Sequence, residues 1–197
     1  MFALVQNGSI VKMLKGNKAI TIGDNQYPAS IFSLWTDAER LAIGIYPVKI
    51  DTTNKKDRAW YINTNISYAI SGDEVVGSYG TATAKAIDDR NATDENGVEL
   101  DPVVVIKGLK TIKKEMIDNQ CAGILAPSDW MVVKATETGT TMDSGWKTWR
   151  ASVRTKCNSM QAQIDNASDV DALAALFTYT ETNGVVSRPL GEFPEKE

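Results

Sequence analysis

The chain has 197 residues, 43% hydrophobic and 23% charged, which is typical of a globular protein with one large or two small domains. It contains no histidine, so catalytic mechanisms and zinc sites that need an imidazole are excluded. The net charge is −4 with a pI near 5.0, so the chain lacks the positive field that non-specific nucleic-acid binding requires.

The first elements predicted along the chain are strands. Residues 2–6 and 9–14 are short apolar runs joined by Asn7 and Gly8, the pair that favours a type I′ turn, so we expect a β-hairpin. Residues 18–22 form a third strand candidate, which ends at a Gly-Asp-Asn turn.

A short helix is predicted next. Thr36 and Glu39 have the spacing of a capping box, and Gly44 is a natural stop for the helix that follows. Residues 45–50 then read as a strand, in which Pro47 predicts an edge or a first-residue position because proline donates no backbone hydrogen bond.

Further β-rich segments occupy residues 58–62, 67–70 and 75–79, where aromatic and β-branched residues are separated by polar turns. We therefore predict a β-rich module over residues 1–87. The composition then becomes acidic and polar, and we predict a linker over residues 88–102.

The hydrophobic period becomes helical after Pro102, which suits the first position of a helix. The predicted helix runs to about Cys121. Its apolar positions are Val105, Leu109, Ile112 and Met116. Residues 130–133 are less regular and predict either a short strand or an extended connection.

A second helix is predicted after a cap at Asp143 or Ser144, and a third starts near Asp169. The apolar seam of the second helix consists of Trp146, Trp149, Val153, Cys157, Met160 and Ile164. Residues 103–180 therefore form a small helical module, a helical hairpin. Residues 181–197 form a C-terminal tail, mobile or acting as a docking arm. The predicted fold class is α+β.

No chemistry-bearing motif stands out. Cys121 and Cys157 lack CxxC spacing, and we expect both to be free, with Cys157 packed on the seam. No phosphate-binding glycine loop or nucleophile elbow occurs, and no pair of carboxylates has a defined separation. We predict no catalytic residue, no cofactor and no metal. No segment approaches a membrane span and no export signal is evident, so we expect synthesis in a cytoplasm without a membrane partner.

Three tryptophans lie close together in the helical half. Trp146 and Trp149 fit the predicted seam, which favours a core role, whereas tryptophan enrichment at binding hot spots favours an interface anchor. The candidate partner-binding residues are Trp130, Trp146, Trp149 and the adjacent Arg150.

Residues 125–139 and 149–154 resemble the phage tail assembly chaperone-like family. The matching residues are the pair Leu125-Ala126, the pair Asp129-Trp130, the triplet Glu137-Thr138-Gly139 and the pair Trp149-Arg150. Residues 2–11 and 44–48 independently resemble the opening module of tail-fibre and tail-fibre accessory proteins.

These resemblances imply a non-enzymatic phage tail protein, a structural or adaptor component of the tail fibre or baseplate attachment region. The alternative that they leave open is a transient tail-fibre assembly chaperone that is not retained in the virion. The implied partners are other tail or fibre proteins in a symmetric, oligomeric assembly. The implied location is the virion tail, after synthesis in the host cytoplasm.

Overall fold

The computed structural model describes residues 1–196 and divides the chain into two compact units, Met1–Thr83 and Ala84–Glu197. The first unit is built mainly from strands and the second mainly from helices. The predicted α+β class, with an N-terminal β-rich module followed by helices, is confirmed.

The first unit contains eight strands and two short helices before the junction strand β9 at Thr83–Ala84. The strands are β1 (Phe2–Gln6), β2 (Ser9–Leu14), β3 (Ile20–Ile22), β4 (Asn25–Tyr27), β5 (Ile45–Asp51), β6 (Tyr61–Ile62), β7 (Ile66–Ser71) and β8 (Glu74–Tyr79). The helices are α1 (Ile31–Leu34) and α2 (Asp37–Ala42).

Five of these strands form one sheet in the order β2-β1-β5-β8-β7, antiparallel except for the parallel pair β5 and β8. The predicted hairpin of β1 and β2 is confirmed. Asn7 and Gly8 have φ values of 50° and 72°, the two positive values that a type I′ turn requires.

Pro47 is the third residue of the central strand β5, so the predicted edge or first-residue position is wrong. Val48 donates its N–H to Met1 O at 3.0 Å, which means that neighbouring residue 47 presents its backbone nitrogen to the opposite side, toward β8. Pairing with β8 starts only at Val48, opposite Val75. Proline therefore removes no hydrogen bond from either ladder.

The signals around α2 are confirmed in detail. Glu39 N–H donates to the Thr36 hydroxyl at 3.3 Å, and Thr36 N–H donates to the Glu39 carboxylate at 2.7 Å. Gly44 follows the helix with φ of 80°, and a Cβ there would lie 2.5 Å from Val5 O. Both the conformation and the close backbone approach require glycine at this position.

The core of the first unit lies on both faces of the sheet, because successive residues of β1 point to opposite sides. One face packs against α1. Its buried residues are Leu4, Leu14, Ile31, Phe32 and Ile45. The other face buries Ala3, Val5 and Val75.

Over the described residues 84–196, the second unit contains four helices, two short strand pairs and a 3₁₀ turn at Ala126–Ser128. The helices are α3 (Leu109–Leu125), α4 (Asp129–Thr138), α5 (Ser144–Asp165) and α6 (Val170–Phe177). The strands are β10 (Arg90–Asn91), β11 (Val105–Ile106), β12 (Thr180–Thr182) and β13 (Val185–Ser187).

Residues 88–102, predicted as a linker, belong to the second unit. β10 pairs with β11, and Thr93 bridges to Glu99, so the segment folds back on itself as a hairpin. The division between the units falls at Thr83, a few residues before the predicted boundary at residue 87.

The predicted start of α3 at Pro102 is wrong, because the helix begins at Leu109 after the N-cap Gly108. Gly108 N–H donates to the Asp89 carboxylate at 2.7 Å, and this hydrogen bond lowers the pKa of Asp89. A Cβ on Gly108 would lie 2.3 Å from the carbonyl carbon of Asp88. The contact with residues 88 and 89, distant in sequence, therefore decides where α3 begins.

The helical core lies between α3, α5 and α6. The predicted cap of α5 and the predicted start of α6 are confirmed, since Asp143 accepts from Trp146 N–H and α6 begins at Val170, after Asp169 accepts from Ala172 N–H. The buried side chains are Leu109, Ile117, Cys121, Val153, Cys157, Met160, Ile164, Val170 and Leu173. Ile112, predicted on the apolar stripe of α3, is 46% exposed, because the helix packs through the stripe of Ile117 and Cys121.

In the predicted tail, residues 181–187 are exposed, whereas residues 188–194 include the side chains that pack onto the second unit. β12 and β13 form a hairpin whose turn residues Asn183 and Gly184 have φ values of 54° and 78°. Leu190 is fully buried, and its carbonyl accepts from Lys156 Nζ at 2.9 Å. Leu190 and Pro194 therefore contact α5 of the same unit through their carbonyl groups.

Candidate functional site

The candidate site is the surface around α4, a helix that buries none of its ten residues. Trp130 is 58% exposed, and Val132 and Val133 are also exposed. Large apolar side chains grouped on one exposed element are typical of an interaction surface. Residues 130–133 are helical, so the predicted short strand or extended connection is wrong.

Arg150 anchors the start of α4. Its guanidinium donates to Leu125 O at 2.8 Å, to the Ser128 hydroxyl, and to the Asp129 carboxylate at 2.6 Å. The side chain of Arg150 is buried, and Ser128 is 1% exposed. Arg150, a candidate partner-binding residue from the sequence, is thus placed inside the unit, where its donors are used to hold α4.

The other end of α4 is fixed by a glycine cap. Gly139 has φ of 65°, a left-handed conformation that ends helices and that other residues rarely adopt. The motif residues Asp129, Gly139 and Arg150, which carry the resemblance, therefore define both ends of one helix. Between these two ends, the side chain of Trp130 is exposed.

Trp146 and Trp149 lie at the start of α5, both partly buried. Their rings meet edge to face with centroids 5.5 Å apart and an interplanar angle of 88°. Trp149 Nε1–H donates to Pro194 O at 3.0 Å, and Lys196 Nζ lies 5.4 Å from the centroid of the Trp146 ring. The C-terminal arm therefore covers this pair, whereas Trp130 is the most exposed of the three tryptophans.

Two clefts flank α4. The first has a volume of about 330 Å³, and its lining includes Trp130, Lys134, Met142, Asp143 and Trp146. Lys134 Nζ lies 5.9 Å from the Trp130 ring centroid, a cation–π arrangement. Trp130 and Trp146, which the sequence singled out, thus line the same cleft.

The second cleft has a volume of about 440 Å³ and adjoins the first along α4. Its residues are Val132, Ala135, Thr136, Thr140, Thr141, Met142, Lys147, Arg150 and Arg154. Three of these are cations, and no described lining residue is acidic. Lys147 and Arg154 are not among the site residues predicted from the sequence, although their spacing from Arg150 places all three residues on one face of a helix.

The cysteines lie apart from this surface, in the helical core. Cys121 and Cys157 are both free and buried, so the predicted core position of Cys157 is confirmed. Burial, together with the neighbouring Cys121 and Asp118, raises the pKa of the Cys157 thiol to about 12.

Residues 1–196 contain no group of three or more cysteine, aspartate or glutamate side chains arranged to hold a metal ion. In the same part of the chain, no helix combines the length and the apolar character needed to span a membrane. Comparison of the chain with family models, curated proteins and solved structures found no match.

Proposed function

We propose that this chain is a non-enzymatic phage tail protein, a structural or adaptor component of the tail fibre or baseplate attachment region. The observation that carries the proposal is the exposed helix α4, which presents Trp130 to solvent while Asp129, Gly139 and Arg150 fix its two ends. The same residues carry the sequence resemblance to the phage tail assembly chaperone-like family.

The exposure of Trp130 supports a binding role because the side chain offers a large, rigid contact area that a partner protein would bury. Val132 and Val133 extend the apolar surface on the same helix. We propose that α4 docks onto another tail or fibre protein, and that several copies do so in a symmetric assembly of the virion tail.

The test is the composition of purified phage particles, measured by quantitative mass spectrometry. The chain is expected at a constant stoichiometry to the fibre or baseplate proteins. Trp130→Ala should lower its incorporation into tails while leaving thermal unfolding of the isolated chain unchanged, because the side chain is exposed.

Leu34→Ala is the matched control, since Leu34 is a 78% exposed apolar residue of the first unit. Normal incorporation of Trp130→Ala would contradict docking through α4. Absence of the chain from particles, with co-purification of unassembled fibre, would replace this proposal by the alternative of a transient tail-fibre assembly chaperone.

A further inference from the structure

The second cleft beside α4 combines an apolar floor with a cationic wall. Val132, Ala135 and Met142 supply the apolar part. Lys147 and Arg154 supply the positive charge. Along α5, Lys147 lies about one turn before Arg150 and Arg154 about one turn after it. This combination suits a ligand that presents hydrophobic side chains and negative charge together.

The cations of this wall differ in what they already bind. Arg150 is committed to Asp129 and to two further oxygens. Lys147 and Arg154 are exposed, and within residues 1–196 neither has a carboxylate at ion-pairing distance. Two charges are therefore available to an incoming ligand in a chain whose net charge is −4.

We infer that the cleft lined by Val132, Met142, Lys147 and Arg154 binds an acidic, partly apolar segment of a partner polypeptide. The inference names the partner chemistry at the surface that the proposed function uses, and so rests on it. Carboxylates of the segment bind Lys147 and Arg154, and its apolar side chains cover Val132 and Met142. Arginine also offers a planar fork that matches a carboxylate with two hydrogen bonds.

A polypeptide fits the cleft better than a nucleic acid. Nucleic-acid binding draws on many phosphate contacts, whereas this cleft offers two uncommitted cations beside apolar carbon. The adjoining cleft shares Ala135, Thr140, Thr141 and Met142 with it, so apolar lining continues around α4 toward Trp130. An extended or helical segment can therefore contact both sides of α4.

The experiment selects binders from a random peptide library displayed on yeast, with the full chain as the target. Wild-type protein should enrich peptides that combine Asp or Glu with Leu, Ile, Val or Phe. The selected peptides should bind the double variant Lys147→Glu/Arg154→Glu about tenfold more weakly or worse, since like charges repel. Affinity for the wild type should fall as ionic strength rises.

The matched control is Lys12→Glu/Lys15→Glu, which makes the same change in net charge on exposed lysines of the first unit. It should leave peptide affinity unchanged within about twofold. Thermal unfolding checks that each variant is folded. If the glutamate variant fails that check, Lys147→Gln/Arg154→Gln repeats the measurement without added negative charge.

Enriched peptides without an excess of acidic residues, or equal binding to the double variant, would overturn the inference. Tighter binding of a single-stranded oligonucleotide that also depends on Lys147 and Arg154 would overturn the polypeptide assignment. If peptides behave as expected but Trp130→Ala is incorporated normally, docking through α4 in the tail fails and the peptide site stands. If Trp130→Ala blocks incorporation and no acidic peptide binds, the inference alone fails.

Discussion

Replacing Arg150 by alanine tests whether this residue anchors α4 within the chain or binds a partner protein. The substitution removes a buried side chain and three hydrogen bonds from a charged donor group. Two features limit the loss in the free energy of unfolding. The Ser128 hydroxyl still donates to Leu125 O at 2.8 Å, and the freed Asp129 carboxylate, 60% exposed, regains water.

The expected cost is therefore near the lower end of the range for breaking a buried ion pair, about 3 kcal/mol. For a unit of this size, that loss corresponds to a fall in melting temperature of about 10 °C or more. Arg150→Lys should recover only part of it, because lysine keeps the charge without the planar fork. Arg154→Ala is the matched control on the same helix, with an expected change within about 0.5 kcal/mol.

Two measurements on the full chain check these values. Thermal and urea unfolding report the free energy of unfolding, and hydrogen exchange should show faster exchange of the α4 amides in Arg150→Ala. An unaltered melt together with unaltered α4 protection would refute the anchoring role. That result would instead favour the prediction from the sequence that Arg150 binds a partner.

Three further predictions concern Cys157 and the two glycines Gly108 and Gly123. Because the pKa of Cys157 is raised to about 12, its alkylation by iodoacetamide at pH 8 should be far slower in the native chain than in urea; equal rates would contradict its burial. This pKa lies above that of the same thiol in the unfolded chain. The stabilisation of the folded chain by the neutral Cys157 thiol should therefore be intact below about pH 9 and be lost as pH rises toward 12. Gly108→Ala should destabilise the chain by about 2 kcal/mol or more, because the added Cβ would clash with Asp88. Gly123 lies inside α3 with open space around it, so Gly123→Ala should stabilise the chain by up to about 1 kcal/mol. Chemical denaturation of the two variants checks the opposite signs.

Local signals predicted the parts of the fold that depend on neighbours in sequence. Three such features are each complete within a few residues. They are the turn at Asn7 and Gly8, the capping box of Thr36 and Glu39, and the cap at Asp143. Their hydrogen bonds and backbone angles form without help from distant parts of the chain, so the sequence pattern was enough to locate them.

The errors arose where distant contacts decide the structure. The start of α3 depends on Asp88 and Asp89, which approach Gly108 from the preceding segment. The β-branched residues 132 and 133 are helical because Arg150 and the Gly139 cap define α4 around them. Local propensity is a weak prior that such contacts override.

For the candidate site, composition was enough to single out the tryptophans but not to assign their roles. Trp146 and Trp149 fit a helical period, yet the arm that covers them comes from residues 194 and 196. The cationic cleft needs α4 to lie beside α5, so Lys147 and Arg154 gained significance only once the two helices were placed.

The way α3 begins also determines how well the preceding hairpin tolerates inserted residues. Leu109 N–H donates to Ala86 O, and Lys110 N–H donates to Ile87 O, so the two ends of the intervening hairpin lie side by side. Residues 90–106 form a closed excursion between those two ends. Extending such a loop costs little, about 0.6 kcal/mol for each doubling of its length. We therefore expect that an epitope tag can be inserted at the turn of residues 94–97 without moving α3.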